Sequence, residues 1–294
     1  MTIIKQKTLR TTECYLCKNK EFEQRDGRVR DNTNLKVLEC TSCGLVFLSS
    51  FDHIRDGFYE NSGMHGENLR NIRILINESH FDDERRFEFL KSLLPNRSVL
   101  DFGCGTGGFL SKARMLTNKV HGVEPEKRLA EHFQQMDLTV YKDISNVPDQ
   151  NKYDIITLFH VLEHFPDPRA TLIELSKLLE QEGQIIIEVP NSDDALLTLY
   201  QSEAFSCFTY WSCHLYLFNI RTLKMLVDQA GLNINYIKQV QRYTLANHMF
   251  WLSKSKPNGH RQWYFLDSPG LHGAYEAQLA ALGKCDTIIM SLSL

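Results

Sequence analysis

Three groups of residues in this 294-residue chain have types and spacings that could do chemistry. The first is a pair of cysteine knuckles, Cys14-x-x-Cys17 and Cys40-x-x-Cys43, with 22 residues between Cys17 and Cys40. Two such turns can bring four thiolates to one tetrahedral Zn²⁺, and four thiolates leave no position for water, so the spacing predicts a structural metal. The second is a glycine turn, Gly103 to Gly108, that closes the short apolar run Ser98 to Cys104. Glycines there let the backbone approach a ligand, while free N–H groups face it from the start of a helix. Asp101 stands two residues before the first glycine, where its carboxylate would repel a pyrophosphate but suits the cationic methionine moiety of S-adenosylmethionine. Glu124 ends the next apolar run, 23 residues after Asp101, and can take both hydroxyls of an adenosine ribose. The third group is three of the eleven histidines: His160 and His164 in FHVLEHF, and His214 in FTYWSCHLYLFN. A hydroxyl or carbon acceptor must lose a proton on methylation, and an imidazole has the titration range for that work.

These residues need elements to position them. Around the knuckles, Phe22 to Val29, Leu35 to Leu38 and Leu45 to Leu48 have short strand character, which predicts a zinc ribbon over 1–50. Its apolar content is too low to fold without the metal. Residues 51–95 read as a connector followed by an amphipathic helix over Glu78 to Leu94, stopped by Pro95. Tyr59 and Met64 fall in the looser part, beside Gly57, Gly63 and Gly66, where they could cap a ligand but more ordinarily take a packing or linker role. From 96 to 294, strands near 98–104, 119–124, 138–141, 153–159 and 184–189 alternate with helical stretches. That alternation predicts an α/β doubly wound parallel sheet with its ligand at the carboxyl ends of the strands. Asp143-Ile144, after the third strand, can meet an adenine amino group and ring, or the acid is simply a surface turn residue. Helix Ile220 to Ala230, strand Ile234 to Val240 and an antiparallel last strand, Thr287 to Leu294, complete the count. Residues 243–286, rich in aromatics such as Trp251, Trp263, Tyr264, Phe265 and Tyr275, become an insertion before that strand, part lid and part surface.

VLDFGCGTG, GVEP, YDIITLFHVLEHFPDP and GQIIIEVPN, in that order, resemble the successive motifs of class I S-adenosylmethionine-dependent methyltransferases, over about Asp82 to Gln241. The resemblance implies a Rossmann-like, seven-stranded sheet with helices on both faces. It places Asp101, Gly103 and Gly105 at the methionine end, Glu124 at the ribose and Asp143-Ile144 at the adenine. Cys104, Phe159 and His160 complete the expected cofactor contacts. A zinc ribbon joined to such a domain resembles bacterial enzymes that methylate sugars, including deoxysugar C-methyltransferases. Their Tyr-x-Glu-His segment reads Trp211-Ser212-Cys213-His214 here, with Tyr210 adjacent, so the histidine carries over and the glutamate does not. His214 is therefore the preferred base among Tyr210, Trp211 and Tyr216. His164, with Glu163, resembles the family's common VLEH turn and takes a local supporting role. The lost glutamate moves the expectation towards a hydroxyl, with carbon kept as the alternative, of a sugar or nucleotide-linked sugar in surface polysaccharide or secondary metabolism.

Composition bounds the alternatives. A net charge of −3 and a pI near 6.4 lack the bulk positive potential of a protein that binds nucleic acid mainly by charge. Residues 1–50 carry nine Lys/Arg against six Asp/Glu, so an rRNA or tRNA methyltransferase gripping RNA through the ribbon is the runner-up. Against it, Leu158-Phe159-His160-Val161 shows no Asn/Asp-Pro-Pro-aromatic clamp for a base amino group. A third reading, an inactive zinc-ribbon scaffold, sits poorly with the intact Asp101, glycine turn and Glu124. No apolar run approaches the roughly 18 residues of a membrane span, and Met1 to Arg10 has no apolar leader core, which predicts a cytoplasmic protein with a small-molecule acceptor.

Overall fold

The structure is a computed structural model that describes residues 12–55, 57–60 and 71–294. Met64, Gly63, Gly66 and the first eleven residues lie outside them. At the N-terminus, strands β1 (Phe22–Gln24), β2 (Val37–Cys40) and β3 (Val46–Leu48) form an antiparallel meander. Helix α1 (Ile72–Leu90) follows, capped by Asn71, whose Oδ1 accepts the Arg73 N–H at 2.9 Å. It starts earlier than the expected Glu78 and stops a turn short of Leu94. The restriction that Pro95 places on its preceding residue reaches only Leu94, so it does not account for the helix ending at Leu90.

The main sheet then builds in βα steps: β4 (Ser98–Phe102), α2 (Gly108–Ala113), β5 (Lys119–Val123), α3 (Ala130–Gln135), β6 (Val140–Tyr141), β7 (Tyr153–Phe159), α4 (Pro168–Ser176) and β8 (Leu179–Pro190). Helices α5 (Ala195–Thr198) and α6 (Glu203–Thr209) lead to a two-residue strand, β9 (Tyr216–Leu217), and then α7 (Ile220–Gln229) and β10 (Asn233–Val240). Residues 243–286 form α8 (Leu245–Lys254), α9 (Gly259–Gln262) and α10 (Pro269–Ala281), and β11 (Thr287–Ser293) closes the fold.

Seven strands lie in the order β10-β11-β8-β7-β4-β5-β6. β4 through β8 are parallel, and β11 runs antiparallel between β8 and β10, as expected of the last strand. β8 is longer than its predicted 184–189, whereas the 138–141 strand contracts to two residues at the sheet's edge, where only β5 pairs with it. β9 pairs with β3 rather than with the main sheet, giving a second sheet in the order β1-β2-β3-β9. One apolar core accordingly runs from Val46, Phe47 and Leu48 through Leu217 and Phe218 to Leu158, Ile187 and Ile288.

Candidate active site

The glycine turn begins one residue after β4. Gly103, Gly105 and Gly107 have φ of 80°, 53° and 76°, a left-handed region that disfavours side chains. A Cβ on Gly103 would lie 2.4 Å from Val161 Cγ2, whereas one on Gly105 would meet nothing within 4 Å. The turn is thus pressed against the loop after β7 on one side and faces a crevice on the other. Gly103 and Cys104 both donate their N–H to the Val123 carbonyl, at 2.8 and 3.1 Å, which ties the turn to β5. The buried Asp101 accepts a hydrogen bond from Thr157 Oγ1 at 2.7 Å. Burial pushes its carboxyl up to about 7, against the pull of Thr157 and Arg86. Glu124 follows β5 and accepts the N–H groups of Gly105 and Glu126, both at 3.0 Å. Burial pushes it, too, up to about 7 in spite of those bonds. Cys104 is buried beneath the turn, and Asp143 is exposed, with its carboxylate capping the 3-10 turn Ile144–Asn146 through Ser145 N–H at 2.8 Å. Ile144 is partly buried against the core.

At the tip of β7 the structure adds a charged floor that the sequence reading missed. Glu188 of β8 is fully buried, and its Oε1 accepts from Arg85 Nη2 and Arg86 Nη2, each at 2.8 Å. Burial opposes that charge, yet Arg86 and His160 hold the carboxyl well below the usual range. The Arg86 guanidinium also lies 4.7 Å over the Phe159 ring. His160, in left-handed backbone at φ 57°, turns its Nε2 to within 3.1 Å of both Arg242 Nη1 and Glu188 Oε1. Arg242 in turn grips Asp82 of α1 through Nε at 3.0 Å and through Nη2. The sequence signal was Glu188 itself: a charge inside Ile185-Ile186-Ile187-Glu188-Val189 demands a buried partner.

Across Glu163 lie the other histidines. The 3-10 turn Leu162–His164 exposes none of its side chains appreciably. His164 Nδ1 donates to the Cys213 carbonyl at 2.7 Å, which fixes the orientation of the ring. Its ring centroid is 5.1 Å from that of His214, and Trp211 meets both rings edge-on, at 6.1 and 5.4 Å. Tyr59 donates its hydroxyl to the His164 carbonyl at 3.2 Å. Burial, and then the neighbouring His164, lowers the His214 imidazole to about 3, so it is neutral at ordinary pH. Glu163 is buried as well, but His160 Nδ1 at 3.5 Å and the two other histidines bring its carboxyl down to about 2. One ligand atom each from Glu163, His164 and His214 lies within 4.8 Å of the others. Such a cluster can pass a proton or seat a cation. Tyr210 is not part of it: its buried ring lies against the ribbon, where Arg25 is its charged partner.

The four ribbon cysteines converge. Cys14 Sγ is 3.5 Å from Cys43 Sγ and Cys17 Sγ is 3.4 Å from Cys40 Sγ, and all four sulfurs lie within 4.8 Å of one another. These separations are far beyond a disulfide and close to the edges of a tetrahedron with Zn–S of about 2.3 Å. Asn19 Nδ2 approaches Cys40 Sγ at 3.6 Å, and burial of Cys40 is outweighed by backbone N–H groups, which bring its thiol down to about 6. The donor set fits zinc.

Comparison with known proteins places the main domain in a family. Residues 78–237, more than half of the chain, match the methyltransferase domain family, and the chain belongs to it. Its relatives include ubiquinone biosynthesis O-methyltransferases. The mitochondrial enzyme of Candida albicans is 32% identical over 37% of this chain and 36% of its own. That of Hydrogenovibrio crunogenus is 23% identical over 69% of this chain and 88% of its own. With three of these relatives, the Candida enzyme among them, the match spans only 36%, 44% and 54% of their lengths. Among solved structures, a methyltransferase in complex with the Haloferax volcanii Trm112 activator superposes with a TM-score of 0.52, at 15% identity, over 82% of this chain and 98% of that one. It shares the fold.

Proposed function

We propose that this chain transfers the methyl group of S-adenosylmethionine to a hydroxyl of a small-molecule acceptor. The observation that carries the reading is the meeting, at the carboxyl ends of β4, β5 and β7, of an open glycine turn, the buried Asp101 and the half-buried Glu124 with the clustered side chains of Glu163, His164 and His214. Asp101, Gly103 and Gly105 would hold the methionine end, Glu124 the ribose, and Asp143-Ile144 the adenine, with Phe159 and the charged floor beneath. The bound cofactor supplies an electrophilic methyl on a sulfonium, and no metal is needed for its transfer. The acceptor must be held in line, which is worth roughly 7–11 kcal/mol of the barrier. His214 takes the hydroxyl proton, and the Glu163 carboxylate stabilises the imidazolium that forms. His164, its ring oriented by the Cys213 carbonyl, lines the same space.

Residues 1–50 act as a structural zinc ribbon, 51–95 as connector and leading helix, and 96–294 as the catalytic domain, with 243–286 covering its acceptor side. A sugar hydroxyl is the acceptor expected from the pairing of zinc module and methyltransferase. A ring hydroxyl like that of a ubiquinone precursor is the second reading, favoured by relatives that are O-methyltransferases of ubiquinone biosynthesis. Incubation with methyl-tritiated S-adenosylmethionine and a panel of nucleotide sugars, phenols and RNA tests the proposal. Label in a sugar or phenol fraction supports it and chooses between the two. Label confined to RNA and lost with added salt would replace it with the ribbon-gripped RNA reading. No binding of S-adenosylmethionine at all would leave a scaffold.

A further inference from the structure

The ribbon and the acceptor-side histidines are far apart in sequence, yet one stretch of the ribbon reaches them. Asp31 accepts two hydrogen bonds from Ser212, from its N–H at 3.0 Å and its Oγ at 2.7 Å. Next to it, Arg30 donates its backbone N–H to the Tyr210 carbonyl at 2.9 Å and lays its guanidinium 4.6 Å over the Trp211 ring. From the connector, His53 Nε2 lies 2.7 Å from the Ser212 carbonyl. Ser212 is thus held at its N–H, its hydroxyl and its carbonyl by residues 31 and 53. The next carbonyl along, that of Cys213, orients the ring of His164, and the next side chain is His214. Arg25 anchors the stretch from the other end, bonding Glu39 of β2 at 2.6 Å and the Ser192 carbonyl at 2.7 Å.

We propose that Asp31, assisted by Arg30, is a positioning residue for the acceptor half of the site: it fixes the 210–214 turn and so the orientation of the Cys213 carbonyl and the His214 ring. The zinc, which organises the ribbon on either side of this stretch, thereby governs the acceptor half-site while the glycine turn and Glu124 stay independent of it. The inference rests on the proposed role of His164 and His214, but its test reads their geometry and needs no acceptor.

Asp31→Ala removes both bonds to Ser212. Asp31→Asn keeps them, because the amide oxygen accepts from Ser212 N–H and the amide nitrogen donates to its hydroxyl. Full-length, zinc-loaded protein of each kind is compared by amide hydrogen exchange, by the imidazole NMR signals of labelled histidines, and by calorimetric affinity for S-adenosylhomocysteine. Asp31→Ala is expected to speed exchange at 211–214 at least tenfold and to shift the His164 and His214 signals. Its S-adenosylhomocysteine affinity should stay within twofold of wild type, and Asp31→Asn should match wild type throughout. Unchanged exchange and signals in Asp31→Ala, or an Asp31→Asn protein that behaves like Asp31→Ala, overturns the proposal. If Asp31→Ala does not retain zinc, Ser212→Ala, which removes the hydroxyl bond to Asp31 from the other side, decides instead: faster exchange at 211–214 and shifted His214 signals with zinc kept support the proposal, and unchanged ones overturn it. A folded His214→Gln enzyme with full activity would remove the base and leave these results standing, so the two failures are distinguishable.

Discussion

Asp101 and Glu124 illustrate what a buried and a half-buried acid can do side by side. Their carboxyls sit up near 7 because burial disfavours charge. A sulfonium nearby favours the ionised form, so binding S-adenosylmethionine should release protons and affinity should rise with pH until about 7, then level off. Calorimetry in buffers of different ionisation enthalpy measures this, with S-adenosylhomocysteine, which keeps the ammonium but lacks the sulfonium charge, as the comparison that isolates the sulfonium. Affinity that stays flat between about pH 5.5 and 8 would show that Asp101 does not sense the sulfonium. For Glu124→Ala, losing charged hydrogen bonds of about 1.5–3 kcal/mol each should weaken S-adenosylhomocysteine at least tenfold. Unchanged affinity puts the ribose elsewhere. His214→Gln should lower turnover roughly 10²–10⁴-fold while sparing cofactor affinity. Because its imidazole is lowered to about 3, His214 should add no inflection to kcat/KM near the usual histidine range; protonation, and loss of rate, come only at more acid pH. The same shift has a stability consequence. The unfolded histidine binds a proton below about 6.5 and the folded one does not until about 3, so stability from this group falls as pH drops through that window. At this scale the sequence shows the glycine turn and its two acids because they are local to strand ends. Arg85 and Arg86 stayed hidden because their partner Glu188 is over a hundred residues away in the sequence.

The elements explain which expectations were readable. Parallel strands buried on both faces, such as Tyr153–Phe159, stand out as apolar runs, and β11 was recognisable from Thr287 to Leu294 for the same reason. Edge strands carry less apolar signal, which is why Val140–Tyr141 is shorter than read, and the two residues of β9 are too few to show any period. In the ribbon, the signal lay in cysteine spacing rather than in strand pattern. Metal analysis of protein purified without added zinc should give close to one equivalent. Cys17→Ser should lose that metal and unfold the ribbon while S-adenosylhomocysteine still binds. Zinc-free protein with an ordered N-terminus would refute the ribbon reading.

For the whole molecule, the shared core matters most. Phe47 and Leu48 from the ribbon and Leu217 and Phe218 from the main chain are almost fully buried in one cluster, each worth about 1.5–3 kcal/mol on burial. Heating zinc-loaded protein should therefore give a single transition, and a chelator should release the ribbon first and lower the transition of the remainder, which loses the apolar contacts the ribbon supplied. An upper transition unmoved by the chelator would mean that the two parts fold separately. Among the described residues no helix is long and apolar enough to cross a membrane.

The pairing of β3 with β9 also bears on how the chain is made. Val46 and Phe47 face Leu217 and Tyr216 across that ladder, so the first sheet begun at the ribosome lacks its last strand until residue 217 has emerged. Meanwhile the nascent ribbon can close around its metal but presents an open, apolar strand edge, the kind that recruits other chains. During synthesis, this protein's period of greatest exposure to aggregation should end not when the zinc knuckles are complete but when the segment carrying His214 has been delivered to them.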